Sequence, residues 1–149
     1  MNIRRIGVVR NGVQEGGDAG WGQVLSELQL LPEFAEGLRG LEGFSHAMVV
    51  FLMHGASFDI GQHLVRRPRE RADMPLLGAF AHRAQHRPNP NGGTTVRVER
   101  IDGASLFVRG LDAVDGTPVL DIKPHFPAFD SPAEPTVPAW VGLLMRGYF

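Results

Sequence analysis

The residues best suited to chemistry are concentrated in Gly78-Ala-Phe-Ala-His-Arg-Ala-Gln-His-Arg-Pro-Asn-Pro-Asn-Gly-Gly93. Pro88 and Pro90 fix backbone angles, whereas Gly92 and Gly93 permit close approach and positive φ, so the segment reads as a strand running into a rigid polar turn. Arg83 and Arg87 stand four positions apart, and a carboxylate or phosphate arriving at the turn would meet both charge and oriented backbone N–H groups. The competing reading is a tight connection between strands with both guanidinium groups in water.

A second such segment is Arg109-Gly-Leu-Asp-Ala-Val-Asp-Gly-Thr-Pro-Val-Leu-Asp-Ile-Lys-Pro124. Asp115 and Gly116 make a turn, and in the following strand Asp121 and Lys123 share one face while Leu120 and Ile122 share the other. Three carboxylates in so short a stretch suit a cationic or hydroxyl-rich ligand; alternatively, they supply turn and edge polarity. Arg66, Arg67, Arg69, Arg71, Arg83 and Arg87 face only Glu70 and Asp73 between positions 66 and 87, and Lys123 is the only lysine of the chain. The planar fork of arginine matches phosphate and carboxylate. The other reading of this cluster is a solvated loop whose arginines pair with the protein's own acids.

Other chemistries are excluded or unsupported. The absence of cysteine rules out disulfides, thiol nucleophiles and thiolate metal sites. His82 and His86 have a spacing metals use, and His46, His54, His63 and His125 could be added, yet no zinc-site pattern is present, so no metal is expected. Neither a dinucleotide-binding glycine fingerprint nor a phosphate-binding glycine loop with its lysine occurs. A net charge of -1 argues against a protein that binds polyanions with its whole surface. The longest apolar run, Ala47 to Met53, has the length of a buried strand and not of a membrane span. The start of the chain lacks a signal-peptide core, which leads to a cytoplasmic expectation.

The elements that must position these groups are mostly strands. Short strand-like runs at Ile3–Val9, Val24–Leu31, Ala47–Met53, Leu76–Ala81, Thr94–Ile101, Leu106–Val108 and Val119–Ile122 are separated by glycine, proline and asparagine. Between Val24 and Leu30 the alternation of a half-buried strand holds except at Ser26, which falls on the apolar side. Asp102-Gly103 predicts an antiparallel hairpin. A short helix is predicted from Pro32, after the second strand and ended by Gly37 or Gly40, and another from Pro138, with Trp140, Leu143, Leu144 and Tyr148 on one face. The 149 residues suit one domain, 1–149, and the expected fold is all-β, a mainly antiparallel closed or nearly closed β-barrel that removes exposed sheet edges.

Four blocks, Gly37-Leu-Arg-Gly-Leu-Glu-Gly-Phe-Ser-His46, Arg66-Arg-Pro-Arg69, Phe80 to Pro90 and Gly110 to Pro124, resemble in order the motifs of the TsaA-like family. That resemblance implies an antiparallel β-barrel methyltransferase that is a homodimer and binds S-adenosylmethionine near the subunit interface. It further implies cofactor contacts at His54, Gly55, Arg83, Asn91 to Gly93, and Asp115, Gly116, Thr117 and Pro118. Arg83 suits the cofactor's carboxylate, Asp115 its ammonium or ribose diol, and exposed turn amides its adenine edge.

The family's best-known members methylate threonylcarbamoyl-adenosine in tRNA, next to the anticodon, and that is the activity expected here. Arg66, Arg67, Arg69, Arg71 and Arg87 are then the expected RNA contacts, through phosphates. An amide or ureido nitrogen is a poor nucleophile, for which Asp115 and Asp121 are the candidate proton acceptors. The chain departs from the family pattern at His82, Ala84 and Asn91. It also has Asp18-Ala-Gly-Trp-Gly22 where a Pro-Arg-Gln element is usual, making Trp21 either a purine-stacking cofactor contact or core. The alternatives are a methyltransferase of the same fold acting on a small molecule or another RNA, and a non-catalytic S-adenosylmethionine-binding module.

Overall fold

The computed structural model describes residues 1–149. Eight strands form in order: β1 Gly7–Arg10, β2 Leu25–Leu30, β3 His46–Leu52, β4 Val65–Arg66, β5 Leu77–Gly78, β6 Asn91–Asp102, β7 Ser105–Arg109 and β8 Pro118–Pro124. Six of them close a barrel in the order β1-β2-β7-β6-β3-β8, with every pairing antiparallel, while β4 and β5 form a separate two-stranded ribbon. Closure removes the exposed edges that so short a set of strands would otherwise present.

Alternation fills the barrel. Val9, Leu28, Ala47, Val49, Val96, Leu106, Val108, Leu111 and Val119 are essentially inaccessible and form the core with Phe51, Leu38 and Leu41. Ser26, out of place in the apolar alternation, is also fully buried, and its hydroxyl accepts a 3.0 Å bond from Asn11 Nδ2. A buried hydroxyl needs such a partner, and β1 brings it from its C-terminal end.

Helices are few and short. A 3-10 helix covers Pro32–Leu38, starting at Pro32 as expected and ending between Gly37 and Gly40, with Leu38 anchored in the core. α1 spans Ile60–His63 and is capped by Asp59, whose carboxylate accepts from the Gln62 N–H at 2.9 Å; α2 spans Pro127–Asp130 and α3 Ala139–Leu144.

Five local expectations fail. The first strand starts at Gly7 and not at Ile3. Within the expected strand Leu76–Ala81 only Leu77–Gly78 is extended, and Ala79–Ala81 is a 3-10 turn. The expected turn at Asn91–Gly93 is the beginning of β6, paired with Leu52, Phe51 and Val50. The reason lies across the strand: the Phe51 ring covers Gly92 so closely that a Cβ there would overlap it, so glycine serves strand packing and not a turn. Helix α3 ends at Leu144, leaving Leu143 exposed and Tyr148 beyond the helix. In β8 a bulge at Leu120, opposite the Val50/Phe51 step, turns both Val119 and Ile122 inward, so Leu120 does not share the core face with Ile122.

Candidate functional site

Register alone gathers the site. Pairing of Leu25 with Arg109, Leu52 with Asn91 and Val8 with Pro118 brings the C-terminal ends of β1, β3 and β7 to the same rim as the N-terminal ends of β2, β6 and β8. The connections 11–24, 53–90 and 110–117 all leave from that rim. Every expected cofactor residue, from Trp21 through His54, Gly55, Arg83, Asn91 and Gly93 to Asp115, Gly116, Thr117 and Pro118, lies on one of these connections or at a strand end beside it.

Their side chains are used differently. His54 and Gly55 are exposed, as are Arg83 and Asn91. An Nη2 N–H of Arg83 donates to the Gly93 carbonyl, tying the long 53–90 connection to the start of β6 while the guanidinium stays open to solvent. No heavy atom lies within 4 Å of where a Cβ would stand on Gly55, Gly93 or Gly116. Trp21, by contrast, is 5% exposed, and its indole N–H donates to Gly17 O at 2.8 Å. It belongs to the core, and its ring face is not offered to a purine. Thr117 is also buried, its carbonyl accepting from the Val9 N–H at 2.9 Å.

The loop around Arg83 is rigid. Arg87 Nη1 donates to Ala79 O at 2.8 Å and to His82 O at 2.7 Å, a clamp across the turn. His82 is buried, and that burial, followed by the Arg66 and Arg87 charges, holds its imidazole below the usual histidine range, so it is neutral near pH 7. Its Nδ1 accepts from Ala84 N–H, which leaves the proton on Nε2.

Asp115 is a pin. One carboxylate oxygen takes the backbone N–H groups of Asn11 at 2.8 Å and Gly12 at 3.1 Å, and the other meets Arg10 Nη1 at 3.4 Å. Those two amides, then Arg10, hold its carboxyl below the usual aspartate range. Asn11 extends the stitching with a 2.8 Å bond from Nδ2 to Ala113 O. A carboxylate so fully engaged and so weakly basic is a poor proton acceptor. Asp121 is not beside it: its carboxylate accepts from Lys123 Nζ and the Ile122 N–H. It lines a concavity of about 610 Å³ with Ile6, Leu30, Phe34, Phe44 and Pro124, toward the opposite end of the barrel. The two expected proton acceptors are therefore not brought together.

The arginine cluster is thinned by internal partners. Arg69 pairs with Asp18 at 3.2 Å and Arg71 with Asp73 at 2.6 Å, while Arg67 donates to Met74 O and Arg87 is the clamp just described. Arg66 keeps its Nε buried with no acceptor. Two residues, Phe80 and Asn11, escaped the sequence reading, and a third, Asp112, entered it only as one of three carboxylates. Asp112 accepts from the Thr94 hydroxyl and from the Tyr148 phenol, the latter at 2.7 Å. Phe80 is 79% exposed beside the clamp. Asn11, in an Asn-Gly pair at the end of β1, had a turn signal, but its partners 15 and 102 positions away had none. No group of three or more His, Cys, Asp or Glu side chains is placed to hold a metal, and no helix is long and apolar enough to cross a membrane.

Comparison with known proteins places this arrangement. The tRNA-methyltransferase O N-terminal domain matches residues 18–131. A putative S-adenosylmethionine-dependent methyltransferase RcsF of Pseudomonas aeruginosa is 47% identical over 109 residues, covering 72% of this chain and 47% of that protein. The mouse tRNA (adenine(37)-N6)-methyltransferase is 40% identical over 95 residues, covering 64% of this chain and 22% of its own length. The crystal structure of TrmO from P. aeruginosa superposes with a TM-score of 0.75 at 35% identity, over 94% of this chain and 61% of that one. The chain thus spans about half the length of the first of these relatives, or less.

Proposed function

Because this chain belongs to the TsaA-like family, that of the tRNA-methyltransferase O N-terminal domain, we propose that it is an S-adenosylmethionine-dependent methyltransferase acting on a tRNA adenosine next to the anticodon. The acceptor in this reading is the nitrogen of threonylcarbamoyl-adenosine, the working form is a cytoplasmic homodimer, and residues 1–149 act as one domain. The observation that carries it is the rim: Arg83, tethered to Gly93 O with its guanidinium facing solvent, beside open space over Gly55, Gly93 and Gly116. The donor set fits the cofactor, since a carboxylate meets the arginine and a ribose and adenine need backbone approach that side chains would block.

S-adenosylmethionine supplies an electrophilic methyl on its sulfonium. What the chain's own residues do is hold and orient. Arg83 carries the anionic end, His54 and Gly55 wall the exit from β3, and Asn91 and Gly93 border the start of β6. Asp115 acts by pinning the 110–117 connection to β1, so that Gly116 and Pro118 keep their place. Positioning of this kind is worth several powers of ten in rate without a covalent nucleophile. Exposed Ile60, Val65 and Leu76, all on the connection that carries Arg83, support a second copy covering part of it.

Calorimetry of the protein with S-adenosylmethionine, followed by mass spectrometry of nucleosides from tRNA incubated with both, tests the proposal. The expected result is binding, and methylation confined to the modified adenosine. Absence of affinity for the cofactor and for its demethylated product would sink it, and Arg83→Ala binding as tightly as the wild type would remove Arg83 from the site.

A further inference from the structure

We propose that Phe80 is a stacking platform for an unpaired RNA base, and that the guanidinium cluster around it meets the adjoining phosphate. This rests on the reading of the rim as an RNA-modifying site.

Phe80 is 79% exposed, while its neighbours Ala79 and His82 are buried at 1% and 7%. The exposure is therefore imposed by a fixed turn and not by a loose loop: Arg87 grips the carbonyls on both sides of Phe80, at Ala79 and His82. A phenylalanine held in water on a rigid mount forgoes the burial of its ring, which a ligand covering the ring recovers. The surroundings say what kind of ligand. Neither Arg66 nor Arg87 has a carboxylate partner, whereas Arg69 and Arg71 do. The buried Arg66 Nε and the protonated Nε2 of His82 are both donors without an acceptor. Both atoms are closed to solvent and do not themselves reach a ligand, but the uncompensated charge of Arg66 and Arg87 at the turn favours an anionic one. An exposed aromatic face beside phosphate-seeking arginines matches a single-stranded nucleotide, whose base has a π-face whatever its identity. A second copy of the chain, which suits the uncharged Ile60, Val65 and Leu76, fits less well on the Phe80 ring itself, because a two-fold axis there would bring the same guanidinium groups together.

Fluorescence anisotropy of the full chain with a labelled anticodon stem-loop RNA, and with a fully paired duplex of equal length, reads the effect. Phe80→Ala is expected to weaken stem-loop binding roughly 5- to 100-fold while leaving duplex binding and calorimetric affinity for S-adenosylmethionine unchanged, and Phe80→Trp is expected to restore it. Equal loss on both RNAs, no loss on either, or no RNA binding by the wild type would overturn the platform. So would a drop in sedimentation mass on Phe80→Ala, which would assign the ring to a second copy. Stem-loop binding that depends on Phe80 in a protein that transfers no methyl group would support the platform and overturn the proposed function.

Discussion

The Tyr148 phenol donates a 2.7 Å hydrogen bond to the carboxylate of Asp112, 36 positions earlier, whose other oxygen accepts from Thr94. The bond joins the end of the chain to the connection between β7 and β8 and to β6, and backbone bonds from Gly20 N–H to Gly147 O and from Trp21 N–H to Tyr148 O extend it to the 11–24 connection. Tyr148→Phe keeps the ring and removes only the donor. The expected cost is about 1.5–3 kcal/mol, the range for a hydrogen bond to a charged group, and urea unfolding at neutral pH measures it.

Burial first, then the Asp112 bond, raises the Tyr148 phenol above the ordinary tyrosine value of 10.0. A group whose folded pKa is raised gives full stability below its unfolded value and loses it as pH rises through the folded one. Wild-type stability should therefore fall above pH 10 more steeply than that of Tyr148→Phe, and unfolding curves at pH 8 and pH 11 for both proteins decide it.

Asp115 gives the opposite sign. Its carboxyl is held below the reference value of 3.8 by the Asn11 and Gly12 amides and by Arg10, so its contribution is present above that value and lost as pH falls through the lower folded one. Asp115→Asn should flatten the acid-induced loss of stability below about pH 4. Circular dichroism during acid titration would show this; an unchanged slope would mean the pin carries no charge-dependent stability.

Gly92→Ala should destabilise by about 1–3 kcal/mol, the usual range for overpacking, because its Cβ would overlap the buried Phe51 ring. Combining it with Phe51→Leu should recover much of the loss, and a double-mutant cycle on melting or urea data quantifies the coupling.

Arg87→Ala removes both carbonyl bonds that fix the turn. Hydrogen exchange across residues 79–87 should accelerate about tenfold, with the amides of β3 and β8 unchanged. Uniform acceleration would show instead that Arg87 supports global stability.

The barrel was legible in the chain because alternation and turn chemistry are local. Val24 to Leu30 announces its buried face, Asp102-Gly103 its hairpin and Pro32 its helix start, and each element formed where those signals stood. The signals failed where a local pattern had a distant cause. Asn91 to Gly93 has turn composition but pairs with β3, since Phe51 lies over Gly92. The bulge at Leu120 depends on β3, which is far away in sequence.

The candidate site divides in the same way. Residue types alone marked Arg83, Arg87 and the carboxylates between Arg109 and Pro124 as groups able to meet a charged ligand, and the order of motifs indicated the family and, through it, the contacts at Asp115 to Pro118. Only the closed register decided that the connections 11–24, 53–90 and 110–117 share one rim, and only the folded chain set Asp121 against Lys123 on the wall of a concavity with Ile6, Leu30 and Pro124. Nor does the sequence reveal which arginines are already engaged: Arg69 finds Asp18 and Arg87 finds two carbonyls, whereas Arg83 keeps its fork facing solvent. A sequence specifies which groups a chain carries and their local periodicity, but a hydrogen bond or ion pair depends on distances set by strands far apart in the chain. Partner and exposure are therefore properties of the closed barrel, and with them the division between the residues that build the rim and those left free to bind.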